Sequence, residues 1–193
     1  MIEFKTVRYK NFLSTGQQFI EVPLNKGGTT LVIGDNGSGK STMLDALCFG
    51  LFNRPFRDIK KDQIVNSINE KDCIVEIEFN IGSNQYKIVR GIKPNKFEIW
   101  CNDKMLNQDA AAKDYQKHLE DNIIRLNFRS FTQVVILGSS SFVPFMRLQP
   151  RWRRMVVEEI LDIEIFTRMN FLLREKNKNK DEEIRSADFS VNL

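Results

Sequence analysis

Long apolar runs, cysteine and histidine are all scarce in this sequence. No apolar run among its 193 residues reaches about eighteen, so no membrane-spanning helix is expected, and residues 1–7 hold no apolar signal core. Three cysteines without a C-x-x-C pair and one histidine, His118, argue against a disulfide framework and against a zinc site. We expect reduced thiols, an exposed His118 and a cytoplasmic protein, in the host cytoplasm if the source is a phage.

Composition and apolar patterning predict a folded α/β domain. The hydrophobic content of 41% is that of a globular protein, and the net charge of +4 permits contact with nucleic acid without requiring it. Periodicity predicts strands over residues 2–12, 18–22, 29–33, 73–81, 86–92, 97–101 and 131–137, of which the three between 73 and 101 form an antiparallel meander. It predicts helices over 41–52, from a cap at Asp109 to about 122, and from Pro150 onward, with the apolar pattern fading after Leu173.

A phosphate-binding loop is the strongest signal in the chain. Residues 34–41 match G-x-x-x-x-G-K-[ST], after a short apolar segment expected to be a strand buried on both faces and before an apolar helix. Inward-facing backbone amides and the helix N-terminus would hold the phosphates of ATP. Lys40 would reach the β- and γ-phosphates, and the Ser41 hydroxyl would be a ligand of Mg²⁺. The predicted nucleotide contacts in this region are Asn36, Gly37, Ser38, Gly39, Lys40, Ser41 and Thr42.

An acidic hydrolysis motif is missing from the sequence. Enzymes of this kind need an apolar strand that ends in Asp, usually followed by Glu, to support the magnesium ion and orient the attacking water. Residues 156–162 contain suitable residues but have the pattern of an amphipathic helix. We therefore expect a chain that binds nucleotide and cannot complete the catalytic site alone.

Four segments resemble the SMC-like DNA-repair ATPases of the SbcC type. They are residues 7–14, 36–47 with Leu-Asp-Ala after the loop, 56–63 and 151–162. Residues 135–138 and 144–146 are similar to the phage branch of that family, the large subunits of T-even-type recombination endonucleases. The resemblance covers about residues 1–175 and adds Arg8, Ser14 and Lys60 to the expected nucleotide site.

The resemblance implies a divided ATPase head. The fold would be α/β, the N-terminal lobe of an ABC-type P-loop ATPase, with a mixed sheet and a meander over residues 1–163. Residues 164–193 would begin a coiled-coil arm that frays without its antiparallel partner. A C-terminal lobe would supply the acidic motif and the ABC signature. A second head would complete a dimer around two ATP molecules, and the assembly would bind double-stranded DNA ends with a metal-dependent nuclease subunit.

Two positions depart from the family pattern. The family's glutamine that reaches magnesium and the γ-phosphate aligns with Ser139, so Ser139, the adjacent Ser140, Gln133 or a water would take that role. Ser139 is the expected catalytic substitute, and Gln133 the alternative metal ligand. The arginine that often precedes Ser14 in cellular relatives is Leu13 here, which removes a contact expected from that position.

Basic residues near the start of the late helix are candidates for DNA contact. They are Arg147, Arg151, Arg153 and Arg154, with Lys61 on an earlier connection. Phosphate contacts from such residues carry no base preference and weaken with salt. The alternatives are contact with the nuclease partner, or a solvated face paired with Glu158 and Glu159.

Three functions fit these patterns. The first is the ATPase head of a DNA-end-processing nuclease complex. The second is another P-loop enzyme, such as a kinase or an ABC or SMC-like ATPase. The third is a scaffold in which bound ATP only clamps a dimer. Hydrolysis on addition of a C-terminal lobe separates the first from the third.

Overall fold

A computed structural model describes residues 2–106, 112–136, 145–161 and 163–191. The chain divides into two compact units, residues 1–142 and residues 143–193. No helix in the described ranges has a stretch that is long and apolar enough to cross a membrane.

An antiparallel sheet forms the frame of the first unit. Its strand order is β2-β1-β3-β4-β5-β6, and the bounds are β1 Ile2–Lys10, β2 Ile20–Pro23, β3 Cys73–Ile81, β4 Asn84–Ile92, β5 Lys96–Cys101 and β6 Lys104–Met105. The predicted meander over β3, β4 and β5 is confirmed within two residues at each end. The meander belongs to the same sheet as β1 and β2, because β1 pairs with β3 along its whole length.

The core lies between this sheet and helix α1, Lys40–Phe52. Alternate residues of β3, namely Cys73, Val75, Ile77 and Phe79, are fully buried on the face toward the core. α1 is apolar nearly all round, and its residues from Asp45 to Phe52 are buried. The helix that carries the phosphate loop at its start is therefore fixed inside the domain.

Arg90 ties the end of α1 to the sheet and to α2, Ala112–His118. Its Nε donates to Gly50 O at 2.9 Å, its Nη2 donates to Gln116 Oε1 at 2.6 Å, and the guanidinium lies 3.8 Å from the Phe97 ring centroid. Burial lowers the pKa of Arg90 to about 9, and Glu120 opposes this shift. The side chain stays a cation at neutral pH beside the carboxyl end of the helix, where a cation is stabilising.

The predicted second helix is confirmed, although its cap at Asp109 lies outside the described residues. α2 is followed by a wider helical turn over Leu119–Ile124, and its buried stripe includes Tyr115, Leu119 and Ile123. His118 is exposed, as predicted, and its Nδ1 lies 3.0 Å from Asn122 Nδ2.

The predicted strand over residues 131–137 is wrong. The chain forms helix α3, Phe128–Val134, and Asn127 caps it by accepting a hydrogen bond from Ser130 N at 3.0 Å. Phe128 and Phe131, three residues apart, both pack on Phe52 with centroid distances of 5.8 and 5.1 Å. The cap and this helical spacing outweigh the β preference of the branched residues at 134–136.

The predicted strand over residues 29–33 is also wrong. These residues pair with no strand among the described residues, and Leu31 and Ile33 are 80% and 83% exposed. A strand of this composition is stable only when neighbours cover its edges and faces. The described part of the chain offers no such neighbour, so the segment before the phosphate loop stays uncovered.

The second unit consists of α4, Pro150–Ile160, and α5, Glu164–Val191. Pro150 occupies the first turn of α4, as predicted. α5 stays helical past Leu173, where the apolar pattern fades, and i,i+4 and i,i+3 ion pairs line this part: Lys178 with Glu182, and Lys180 with Glu183. Its large apolar side chains, including Ile165, Phe166 and Met169, are exposed.

Candidate nucleotide site

Two glycines with positive φ shape the phosphate loop. Gly37 has φ +87° and Gly39 has φ +95°, a backbone region that favours glycine. Gly39 precedes α1, and Thr42 N donates to Gly39 O at 3.0 Å at the start of the helix. The loop therefore turns directly into a helix N-terminus, where free amides and the helix dipole attract anions.

The ammonium group of Lys40 is held within the loop. Its Nζ donates to Gly34 O at 2.5 Å and to Asp35 O at 2.7 Å. Both acceptors belong to the first two residues of the loop, so the side chain folds back over the loop instead of extending into solvent. A cation thus lies against the first two residues of the loop, and positive charge near the loop favours an anion.

A cavity of about 390 Å³ opens beside this loop. Asn36, Gly37 and residues 39–42 line one side of it. Leu13 and Ser14, from the connection after β1, line another part, and Arg57 and Ile59 complete the wall. The fold therefore brings Ser14 to the phosphate loop across a large separation in sequence.

Asp45 fixes the position of Arg57, which lines the cavity. Asp45 is fully buried on α1. Its Oδ1 accepts from Arg57 N at 2.9 Å, and its Oδ2 accepts from Arg57 Nε at 2.7 Å and pairs with Arg57 Nη2 at 2.5 Å. One carboxylate therefore holds both the backbone and the guanidinium of Arg57, whose side chain is 44% exposed. Two parallel bonds from an arginine to a carboxylate are a strong and directional contact.

A second cavity of about 560 Å³ adjoins the first. Leu13 and Ser14 line both cavities. The second cavity is otherwise lined by residues of 62–70 and by Lys93. Together the two cavities have room for more than a phosphate chain.

The chain is similar to a known sequence family along nearly its whole length. A sequence family described as an AAA domain matches residues 6–189. The chain belongs to this family. Within it the chain is SMC-like and of the SbcC/Rad50 type: it is 45% identical over 166 residues to exonuclease subunit 2 of Enterobacteria phage T4, which covers 86% of this chain and 30% of that protein.

Other members of the family extend the similarity to archaea. The chain is 42% identical to exonuclease subunit 2 of Escherichia phage RB69, over 93% of this chain and 31% of that protein. It is 26% identical to the DNA double-strand break repair Rad50 ATPase of Thermoplasma volcanium, over 96% of this chain and 21% of that protein. The chain thus spans about 30% of the phage relatives and less of the archaeal one.

A solved structure of an SMC head has the same fold. The Smc head domain with an extended coiled coil from Pyrococcus furiosus, bound to the C-terminal domain of ScpA, aligns with a TM-score of 0.70. The alignment covers 98% of this chain and 49% of that chain at 23% identity. The fold class expected from the sequence, an α/β fold of the SMC/Rad50 ATPase-head type, is confirmed.

Several residues predicted for the site do not line the cavity at the phosphate loop. Arg8 lies on the sheet, where its Nε is 3.2 Å from Glu21 and its Nη1 is 3.4 Å from Glu76, and its guanidinium is 4.8 Å from the Phe19 ring centroid. Lys60 is exposed at a short 3₁₀ turn, as is Lys61, which was a candidate for DNA contact. The nucleotide contact expected at Arg8 stays a prediction, and in this structure its guanidinium pairs with Glu21 and Glu76.

Three residues, Gln133, Ser139 and Ser140, are the candidates to replace the family glutamine. Gln133 lies half-buried on α3, and its Oε1 has no hydrogen-bond partner in the described ranges. It does not line the cavity at the phosphate loop. Ser139 and Ser140 lie outside the described residues.

The basic cluster lies in the second unit. Arg151, Arg153 and Arg154 are on α4, and Arg147 ends the 3₁₀ turn before it. Arg147, Arg151 and Arg154 are exposed. Arg154 Nε bonds to Glu158 Oε1 at 2.6 Å, and this bond holds the pKa of Glu158 below its usual value. The predicted pairing with Glu158 is present for Arg154. The exposed cations Arg147 and Arg151 precede Arg154 by seven and three residues along the chain.

Sequence reasoning missed Arg57 as a site residue. Asp45 was the available signal, because a carboxylate in a helix that is apolar nearly all round must find a cation or several donors when buried. Arg57 follows twelve residues later, close enough to return to the same helix.

Proposed function

We propose that this chain is the N-terminal, nucleotide-binding lobe of an ATPase head in a DNA double-strand-break-processing nuclease complex. The observation that carries this proposal is the cavity lined by the phosphate loop, Ser14 and Arg57. The relatives named as exonuclease subunits and break-repair ATPases support the biological context. ATP-driven dimerisation of two heads would control DNA end binding and resection by a metal-dependent nuclease subunit.

The residues around the loop fit Mg-ATP. Loop amides and Lys40 supply the donors and the positive charge that a phosphate chain needs. Ser41 and Thr42 present hydroxyl oxygens to the same cavity, and oxygen is the ligand type that Mg²⁺ prefers. Bound magnesium would neutralise charge on the β- and γ-phosphates. The chain's own part is to bind the phosphates and to hold Lys40 against them.

A C-terminal lobe is the proposed partner of the uncovered segment. Residues 29–33 are apolar and exposed directly before the phosphate loop. An exposed apolar run of this kind in an α/β protein is stabilised when strands pair with it on both sides. The same lobe would supply the acidic hydrolysis motif, which the chain lacks. Residues 164–191 would begin the coiled-coil arm between the two lobes.

Reconstitution tests the divided site. We expect the isolated chain to bind Mg-ATP with little turnover, and addition of the C-terminal lobe to restore hydrolysis. Lys40→Ala should abolish hydrolysis in the reconstituted head, since the ammonium group is lost while α1 remains. Lys26→Ala, an exposed loop lysine outside the cavity, is the control. Strong turnover by the isolated chain would contradict the divided site. Binding without turnover in the complete head would favour a nucleotide-clamped scaffold.

Duplex DNA is the proposed ligand of the exposed arginines. Arg147 and Arg151 carry no ion pair in the described part of the second unit, so their charges are available to phosphates. Removing one phosphate contact lowers the slope of log K against log salt by about 0.9. Arg151→Ala should lower that slope, whereas Lys176→Ala, an exposed cation on α5, should leave it unchanged. An unchanged slope for Arg147→Ala and Arg151→Ala would instead favour contact with the nuclease subunit.

A further inference from the structure

Two connections beside the nucleotide cavity are joined by hydrogen bonds. The first connection, residues 11–16, follows β1, and the second, residues 64–72, precedes β3. Leu13 N donates to Ile64 O at 2.6 Å, and Asn66 N donates to Asn11 O at 2.9 Å. An isolated antiparallel bridge between Phe12 and Val65 lies between these bonds. These bonds tie the two connections together.

The Asn66 side chain uses all of its hydrogen-bonding capacity. Its Nδ2 donates to Leu13 O and to Thr15 O, both at 3.1 Å. Its Oδ1 accepts from Ile68 N at 2.9 Å and from Asn69 N at 3.0 Å. These partners fix the amide orientation, because only the NH₂ group can face two carbonyls. Asn66 is 6% exposed, so water does not replace a lost partner easily.

The two carbonyls that Asn66 binds flank Ser14 in the sequence. Ser14 itself is exposed, and with Leu13 it lines both the phosphate cavity and the adjoining one. Leu13 has φ +54°, an uncommon and costly conformation for a branched apolar residue. Its N–H and its C=O are both bound by the second connection, which explains how the conformation persists.

We propose that Asn66 is a positioning residue of the nucleotide site, which acts by holding the carbonyls of Leu13 and Thr15, the residues on either side of Ser14. The Asn66 amide sets where the Ser14 hydroxyl lies relative to the phosphate loop, although Asn66 itself need not touch nucleotide. This inference rests on the proposed function, since it assumes that the cavity binds Mg-ATP. It assigns the polar connection before β3 a role in nucleotide affinity, beyond its role in folding.

Asn66→Asp is the direct test. The substitution keeps the shape of the side chain and the acceptor for Ile68 N and Asn69 N, but turns a carboxylate oxygen toward the two carbonyls. In the reconstituted head we expect Mg-ATP, titrated by fluorescence of a labelled analogue, to bind about tenfold more weakly, the effect of one hydrogen bond to an anionic group. Asn66→Ser keeps a hydroxyl for the local turn and serves as a milder variant if Asn66→Asp folds poorly.

Asn69→Ala is the matched control. Asn69 Nδ2 donates to Asn11 Oδ1 at 2.8 Å in the same network, but the side chain makes no bond to the carbonyls around Ser14. Asn69→Ala should lower the denaturation midpoint and leave Mg-ATP affinity unchanged. If Asn66 variants and Asn69→Ala weaken binding equally, Asn66 has only a structural role and the inference fails.

A double-mutant cycle with Ser14→Ala separates positioning from general damage. If Asn66 acts through Ser14, Ser14→Ala weakens binding in the wild type and has little further effect in the Asn66→Ser background. Additive effects would overturn the inference. Absence of Mg-ATP binding in the wild-type reconstituted head would overturn the proposed function instead, so the two failures are distinguishable.

Discussion

Removal of the Arg57 side chain should destabilise the domain more than neutralisation of its partner Asp45. In Arg57→Ala the buried Asp45 carboxylate keeps one of its three donors, the backbone N–H of residue 57. A buried charge that loses its ionic partner costs about 3–5 kcal/mol. In Asp45→Asn no charge stays buried, and the half-exposed Arg57 guanidinium regains water. Loss of its charge-assisted bonds costs about 2 kcal/mol.

The double variant gives the sharper result. Asp45→Asn combined with Arg57→Ala removes both the buried charge and its partner, so it should be more stable than Arg57→Ala alone. The free energy of unfolding from urea titrations, compared at constant slope, measures all three variants. A double variant less stable than Arg57→Ala would refute the argument that an uncompensated buried carboxylate dominates the cost.

Three further predictions concern the core and the thiols. Gly50→Ala should destabilise the domain by about 1–2 kcal/mol net, since overpacking outweighs the helix-propensity gain: the added Cβ would lie 2.3 Å from Ile77 Cδ1. Calorimetry would measure the lower Tm, and an unchanged Tm would contradict this contact. Burial raises the pKa of Cys48, and raises that of Cys73 to about 12. Both thiols stay protonated in the folded state while those of the unfolded chain ionise above about pH 8.5. Stability is therefore fully present below that pH and falls as the pH rises toward 12, by up to about 1.4 kcal/mol per pH unit for each thiol. Urea titrations at pH 8 and pH 10 measure this loss, which Cys73→Ala should reduce. Only the partly exposed Cys101 should react with a thiol reagent in native protein at pH 8, and three reactive thiols would contradict the burial.

Local signals in the sequence account for the parts of the fold that were predicted well. Residues 73–81 alternate cleanly, and turn residues separate the three β-rich runs between 73 and 101, so the meander follows from each segment alone. The phosphate loop and α1 follow from the spacing of Gly37, Gly39 and Lys40 before an apolar helix. Pro150 marks a helix start for a similarly local reason, its fixed φ.

The failures have a common physical cause, because each depends on what lies beside the segment. Residues 29–33 have the composition of a buried strand, and without pairing strands they remain uncovered. The branched residues at 134–136 favour a strand, but the cap at Asn127 and the packing of Phe131 on Phe52 select a helix. Propensity is a weak prior where tertiary contacts disagree with it.

Site residues that lie far apart in sequence could be predicted only in part, because their roles depend on contacts with distant segments. Ser14 came from the family resemblance, and its position at the phosphate loop depends on bonds between residues 11–16 and 64–72. Asn66 and Arg57 carry no motif, and their roles follow only from the carbonyls and the carboxylate that they bind. Such positioning residues need three-dimensional contacts for their identification.

Titration of Mg-ATP into the reconstituted head, with wild-type and Lys40→Ala chains side by side, tests the central claim most directly. The account predicts saturable, magnesium-dependent binding and hydrolysis for the wild type, with hydrolysis lost in Lys40→Ala while its unfolding midpoint is retained. A wild-type head that is folded yet does not bind Mg-ATP, or a Lys40→Ala head that hydrolyses ATP at the wild-type rate, would contradict it.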